Sequence, residues 1–205
     1  MKSIAPIKKQ PTSYNEYLLV LKPHEELWNK ILNVKKEFHD AYKAPTALWG
    51  KQYLPLVSFL QREIMEEKMI NSLKIVAKSY HPFKIELKDF GSFPSHTIYL
   101  NVETRQTIKN LVKEIKPMRQ FMKADKEHKP YFLDNPHFTI AGKLLPWQYE
   151  QGWREYSQKH FTGRFMADNM LLLKKVEGRG RQIVQRFEFM NLPVSTKQGE
   201  LFGAL

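Results

Sequence analysis

The chain has 205 residues, 42% hydrophobic and 26% charged, and its 33 Lys and Arg against 21 Asp and Glu leave a net charge of +12. A chain of this size buries roughly 70% of its unfolded surface as one domain or two lobes sharing a core, which excludes a disordered chain, a collagen and a disulfide scaffold. The absence of cysteine excludes thiolate nucleophiles and cysteine zinc sites, and the basic field favours anionic partners such as nucleic acid or nucleotides.

Residues 17–21, Tyr-Leu-Leu-Val-Leu, form a short apolar run that reads as a buried strand. Leu27, Ile31, Val34, Phe38 and Ala41 recur at helical spacing after the opening Pro23-His24-Glu25-Glu26. Residues 53–60 predict a second strand. Met65, Met69, Leu73, Val76 and Tyr80 predict a second helix. Phe83, Ile85 and Leu87 alternate with charged residues as in a half-exposed strand. Gly91 and Pro94 are expected to turn the chain into a returning strand over Ile98, Leu100 and Val102.

The order then repeats. Ile108, Leu111, Val112 and Ile115 predict a helix ending near Pro117. Residues 117–135 read as irregular and basic, 136–140 as a strand and 146–160 as a helix. Strands over about 164–176 and 181–190 are expected to meet in a hairpin at Gly178-Arg179-Gly180. Helix–strand–helix–hairpin thus occurs twice. The expected fold is α+β and bilobal, with a pseudo-twofold axis relating two small antiparallel sheets around a central cleft, helices outside. Residues 1–193 form a single domain in this reading, with lobes of about 17–102 and 103–190 and exchange of strands left open. Residues 194–205 read as a tail.

One correspondence between the repeats carries chemistry. Pro55-Leu56-Val57-Ser58 begins the inner strand of the first unit, and Pro136-His137-Phe138-Thr139 begins that of the second. Side chains two apart on a strand share a face. An imidazole and a hydroxyl placed so can both reach one phosphate, the His moving a proton and the Thr donating to a non-bridging oxygen.

The run Pro136-His137-Phe138-Thr139-Ile140-Ala141, followed by Lys143, resembles the second signature of the 2H phosphoesterase superfamily, which includes the bacterial 2′-5′ RNA ligases and the 2′,3′-cyclic phosphodiesterases. The likeness extends by element order from about Tyr17 to Met190. It implies a bilobal α+β fold with two His-x-Thr/Ser motifs facing each other, one His as general base and the other as general acid, and no metal or other cofactor. His137, Thr139 and Ser58 are then the expected catalytic set. The first motif departs from the pattern, because Leu56 stands where the first His belongs and cannot move a proton. His96 is the best candidate to replace it; His24, His39, His81 and His128 have no spacing that demands a site.

Arg105, Lys109, Lys113, Lys116, Arg119, Lys123, Lys126 and Lys129 recur every three or four residues. On a helix they make a basic stripe, either solvated or tracking a phosphate backbone. Arg105, Lys109, Lys113 and Lys143 are the candidate phosphate or nucleic-acid contacts. Trp147, Tyr149 and Trp153 can stack bases or belong to the core. In the tail, Gln198-Gly199-Glu200-Leu201-Phe202 resembles the short peptide by which bacterial DNA-processing proteins dock on the sliding clamp. There Leu201 and Phe202 would fill an apolar pocket and the Gln198 amide would anchor them.

No apolar run reaches the roughly 18 residues that cross a bilayer, and Met1 to Pro6 lacks the apolar core of a secretory signal, so no membrane partner and a cytoplasmic location are expected. Three functions remain open: a weakened or specialised 2H phosphodiesterase or RNA ligase acting on RNA ends or cyclic-phosphate nucleotides, a non-catalytic binder of the same ligands, and a clamp-associated DNA-processing accessory.

Overall fold

The computed structural model describes residues 14–49, 53–176 and 178–193. In chain order they form β1 (Asn15–Leu21), α1 (Glu25–Tyr42), β2 (Leu54–Gln61), α2 (Glu66–Ser79), β3 (Phe83–Phe93), β4 (Thr97–Val102), α3 (Arg105–Ile115), β5 (Tyr131–Phe132), β6 (His137–Ala141), α4 (Pro146–Tyr156), β7 (Thr162–Ala167), β8 (Asn169–Val176) and β9 (Gly180–Glu188). Short 3₁₀ turns occupy Pro45–Leu48, Glu63–Met65 and Lys116–Phe121.

Local chemistry explains the boundaries. The α1 helix opens where the His24 side chain accepts the Leu27 amide at 3.1 Å, satisfying one of the free donors of the first turn. It ends at Lys43, whose φ of 49° lies in the left-handed region. Its buried face holds Leu27, Ile31 and Phe38 as the periodicity predicts, but Lys35 and Tyr42 are buried where Val34 and Ala41 are expected, Val34 being half-buried and Ala41 exposed. The β8–β9 hairpin turns on Gly178 and Gly180, whose φ values of 72° and 71° suit glycine.

All strand pairings are antiparallel. They make a five-stranded sheet, β5-β2-β1-β8-β9, and a four-stranded sheet, β6-β4-β3-β7. Each sheet therefore takes strands from both halves of the chain. The helices divide likewise. The five-stranded sheet receives α2, which packs on β9, and the four-stranded sheet receives α1 on β6 and β7 and α4 on β4. The α2 and α3 layers join where the hydroxyl of Tyr80 donates to the Thr107 carbonyl at 3.1 Å.

One continuous core links both sheets to the helices. In β1, Tyr17, Leu19 and Leu21 point into it. Val20 points the other way and meets Leu171 and Leu173 in a small second cluster. The faces turned away from the main core are the open faces, although on the five-stranded sheet Val20, Leu171 and Leu173 are themselves buried there, with Leu18 and Tyr53 packed against them.

Several boundaries differ from the sequence reading. The expected strand over 164–176 is two strands in different sheets: β7 pairs with β3 and β8 with β1, separated at Asp168, whose carbonyl accepts from Phe189. Gly91 lies inside β3 and does not turn the chain; the turn falls at Pro94 to His96. The 117–135 stretch holds most of a 3₁₀ turn and the two-residue strand β5, and the helix expected to reach residue 160 stops at Tyr156.

Candidate functional site

His137 opens β6, which pairs with β4 so that Asn101 stands opposite His137 and Tyr99 opposite Thr139. Phe138 and Ile140 are buried in the core, so strand alternation sends His137 and Thr139 to the open face. The Nδ1 atom of His137 lies 2.7 Å from the Asn135 carbonyl oxygen. A carbonyl only accepts, so Nδ1 carries the hydrogen and Nε2 keeps its lone pair. Phe93 meets the imidazole edge-on at 5.1 Å between ring centres, and Tyr99 lies at 4.8 Å.

Burial holds the His137 pKa below the ordinary histidine value. The Asn135 carbonyl opposes that shift, and the positive charge of Arg105 adds to it. The ring is thus neutral near pH 7 with one free basic nitrogen, the state a general base requires. The Thr139 side chain is exposed beside it.

Neighbours hold this arrangement. Gly91 of β3 sits beneath Tyr99, where a Cβ would meet the ring at 2.6 Å and the Asn101 Oδ1 at 2.7 Å. Arg105, at the start of α3, donates from Nε to the Val102 carbonyl at 2.9 Å and from Nη2 to Asn101 Oδ1 at 3.4 Å. The structure thus brings Arg105 beside the motif through Asn101. Lys109 and Lys113 are exposed further along α3, and Lys143 is exposed just beyond β6. The basic stripe is helical only as far as Ile115, then follows a 3₁₀ turn and a loop.

The other half-site, on β2, is built differently. Leu19 pairs with Val57 and Val20 with Pro55, so Leu56 has no partner on β1 and the strand bulges there. Alternation breaks: Leu56 and Val57 are both buried, at 0% and 1% exposure, and both belong to the main core. Ser58 is half-buried, paired with Leu18 on the open face. Leu56 and Ser58 still border a common pocket of about 340 Å³, with Glu16, Leu18, Pro55, Val57, Tyr131, Leu133 and Arg181.

The two halves meet at one connection. The Leu133 amide donates to the Leu56 carbonyl at 2.9 Å, and two residues later Asn135 holds His137. Four Cα steps separate Leu133 from His137, which bounds their Cα distance at about 15 Å.

His96 stands on the β3–β4 turn of the same sheet as His137, with its Nδ1 2.9 Å from the Pro94 carbonyl oxygen and its ring 6.5 Å from Phe93. Phe93 is thus a ring neighbour of both imidazoles, nearer to His137. Other histidines serve elsewhere: His24 caps α1, His81 stacks on Tyr80, and His128 pairs with Asp125. Trp153 and Tyr149 pack against the core, whereas Trp147 is exposed. Gln198, Leu201 and Phe202 lie outside the described residues. Among the described residues no group of three His, Asp or Glu could hold a metal ion, and no helix is long and apolar enough to cross a membrane.

Sequence reasoning missed Phe93, Tyr99, Asn101 and Asn135. The signal for two of them was present: with Ile98, Leu100 and Val102 buried, Tyr99 and Asn101 must face the other way. Their meeting with His137 depends on register between strands far apart in sequence, which no local pattern encodes.

The fold coincides with a known class. The family model of the 2′-5′ RNA ligase superfamily matches residues 23–179, and the chain belongs to that superfamily. Among solved structures it resembles Escherichia coli LigT complexed with 3′-AMP, at 12% identity and a TM-score of 0.60, covering 86% of this chain and 99% of that one. TT0787 of Thermus thermophilus matches at 15% identity and a TM-score of 0.59, over 85% of this chain and 98% of that one. LigT complexed with NADP+ matches at 13% identity and a TM-score of 0.55, over 87% and 99%. At these identities the likenesses establish the fold. No curated protein matches the chain.

Proposed function

We propose that this protein is a single-histidine phosphoesterase of the 2H class, acting on RNA ends or 2′,3′-cyclic nucleotides and slower than relatives with two histidines. One observation carries the reading: a neutral imidazole with its Nδ1 hydrogen held by Asn135 and its Nε2 free, next to the Thr139 hydroxyl. That LigT has been solved with 3′-AMP and with phosphate agrees with a phosphate-bearing ligand here.

In the proposed reaction His137 Nε2 takes a proton from water as the water oxygen bonds to phosphorus. Thr139 donates a hydrogen bond to a non-bridging oxygen that gains charge. The bond from phosphorus to one of the two ribose oxygens of the cyclic phosphate breaks, and that oxygen receives its proton from solvent, since Leu56 supplies none. Losing one positioned acid costs about 10²–10⁴-fold. Arg105, Lys109, Lys113 and Lys143 supply a positive approach for the phosphates. Ser58 is the remaining hydroxyl of the first motif, and His96 is a further proton carrier on the same sheet.

The test is turnover of 2′,3′-cyclic nucleotides by wild type, His137→Ala and His96→Ala. Slow turnover that His137→Ala abolishes supports the reading. Complete burial of Leu56 favours a second one, a non-catalytic binder of RNA ends or nucleotides. Tight binding of 3′-AMP with no turnover would select it.

A further inference from the structure

We propose that α3 is a track for the strand of an RNA whose 3′ end lies at His137, so that the ligand is an oligonucleotide and not a mononucleotide. This rests on the reading of His137 and Thr139 as the site of the terminal phosphate, and names the surface that holds the rest of the strand.

The exposed side of α3 carries two rows at steps of four residues. Arg105, Lys109 and Lys113 form one; Gln106, Asn110 and Glu114 form the other, with Gln106 donating to Asn110 at 2.9 Å. The cations are thus gathered in a single row. Like charges four residues apart repel and weaken a helix, whereas acid–base pairs at that spacing strengthen it. The α3 helix has the first arrangement and none of the second.

Nor do neighbouring elements compensate the row. Among the described residues Arg105, Lys109 and Lys113 form no ion pair, whereas Lys174, Lys175, Arg181 and Arg186 on β8 and β9 are all paired with carboxylates. Between Arg105 and Lys129 the chain carries eight Lys and Arg against three Asp and Glu. The positive field of the β8–β9 hairpin is largely spent inside the protein, and that of α3 is left for an external anion.

The row begins at the site. Arg105 donates to Asn101, the residue opposite His137, and its charge is felt at the imidazole, where it disfavours protonation. From Arg105 the helix rises about 1.5 Å per residue, so successive cations stand about 6 Å apart along its axis. That is about the interval between neighbouring phosphates of one nucleotide strand. A row of cations at this interval fits a repeating negative charge, which a strand has and a mononucleotide lacks. Lys116 and Arg119, both exposed in the following 3₁₀ turn, extend the line. A cyclic or terminal phosphate at His137 closes the 3′ end, so the strand runs in its 5′ direction from Arg105 towards Lys113.

The experiment is titration of the full chain, over a range of salt concentrations, with 3′-AMP and with a single-stranded RNA of about eight nucleotides ending in a 3′-phosphate. At about 50 mM salt the RNA should bind about tenfold more tightly or better, and its affinity should fall more steeply with salt. The double variant Lys109→Gln, Lys113→Gln should flatten the RNA slope of log affinity against log salt by about 1.4, at about 0.7 per phosphate contact of a single strand. It should cost the RNA about tenfold more affinity than it costs 3′-AMP. Lys36→Gln with Arg154→Gln removes the same charge from exposed positions on α1 and α4, which cover the core side of the four-stranded sheet, and should flatten the slope far less. RNA that binds no more tightly than 3′-AMP, or equal flattening by the two double variants, overturns the track. His137→Ala separates this from the parent reading: it should weaken RNA and 3′-AMP by a similar factor. If it changes neither affinity while the α3 variant still flattens the RNA slope, the terminal phosphate site is wrong and the track stands.

Discussion

The strands β6 and β2, which carry the two motif positions read from the sequence, treat burial in opposite ways. On β6 the strand alternates regularly, so the apolar Phe138 and Ile140 enter the core while His137 and Thr139 stay on the open face. The polar groups there are held by others: Asn135 takes the imidazole hydrogen, and Phe93 and Tyr99 fix the ring plane. On β2 a bulge spoils the alternation, and Leu56 joins Val57 in the core while only Ser58 remains at the surface. Position 56 has therefore been absorbed into packing, and position 137 has been kept out of it. The comparison teaches that the two strands have different structural tasks: β2 packs its motif positions into the core, and β6 presents them.

The largest expected effect tests the β6 side. If His137 is the one positioned base, His137→Ala should reduce cyclic-phosphate turnover by about 10²–10⁴-fold, with a stability loss of only about 1–2 kcal/mol from the lost Asn135 hydrogen bond and ring contacts. Steady-state rates and thermal melts on the same preparations check both halves. The wild-type rate should rise with pH through a single inflection below the ordinary histidine value of about 6.5 and then stay level, because no second histidine stands in line to impose an alkaline limb. A bell-shaped profile that loses its alkaline limb in His96→Ala would show His96 completing the pair after all.

Next in size is a stability effect on the β2 side. Leu56→Ala empties a fully buried site and should cost about 2–5 kcal/mol, measured by urea unfolding. Thr139→Ala, at an exposed position, should cost less than about 0.5 kcal/mol. Equal losses at the two positions would break the contrast between a packed half-site and a functional one.

How much of this was readable from the sequence follows the same division. Helical periods located α1 and α2, because each buries one apolar face, while an unbroken apolar run marked β1 and the glycines at 178 and 180 marked the β8–β9 turn. The His137 motif was readable too, since it needs only a strand and its alternation. The break between β7 and β8 falls at Asp168-Asn169, a polar, turn-favouring pair between two apolar runs, a signal that the reading of one strand over 164–176 passed over. The rest of what escaped depends on partners distant in sequence. The β5 strand has two residues, too few for any period. Gly91 looked like a turn, but its lack of a Cβ serves the Tyr99 ring packed over it. The bulge at Leu56 is likewise set by the β1 register, so the shared face expected for positions 56 and 58 was altered by tertiary pairing.

Restoring the first motif is a smaller effect than either deletion. Leu56→His returns a His-x-Ser sequence, but the new ring replaces a side chain with 0% exposure inside the core. Burying an imidazole without a partner should lower stability by about 1–3 kcal/mol. The gain in turnover should stay near tenfold or below, because a bulged strand lacks the surrounding contacts that position a catalytic group within about half an ångström. A gain approaching 10²-fold, lost again on adding His137→Ala, would mean that the bulge relaxes and that the two half-sites are equivalent after all.

The smallest expected effect concerns stability and pH, and it isolates the environment of His137. Its pKa in the folded protein lies below the unfolded value, chiefly because burial disfavours the charged ring, with the Arg105 charge acting in the same direction against the Asn135 carbonyl. The unfolded chain then takes up the proton first as pH falls. Above about pH 6.5 both states are neutral at this group and its contribution is fully present; below that value the unfolded state is favoured by the proton it binds, and stability declines until the folded pKa is reached. His137→Gln removes the titration and keeps a polar side chain. The melting temperature of the wild type relative to this variant should therefore hold level from about pH 8 to 7 and fall as pH drops below about 6.5. Arg105→Gln should shrink that fall, since it removes a charge that resists protonation of the ring. A wild-type protein that instead gains stability relative to His137→Gln on acidification would place a carboxylate, and not Arg105 and buried rings, against the imidazole, and the β6 half-site would have to be rebuilt around a permanently charged histidine.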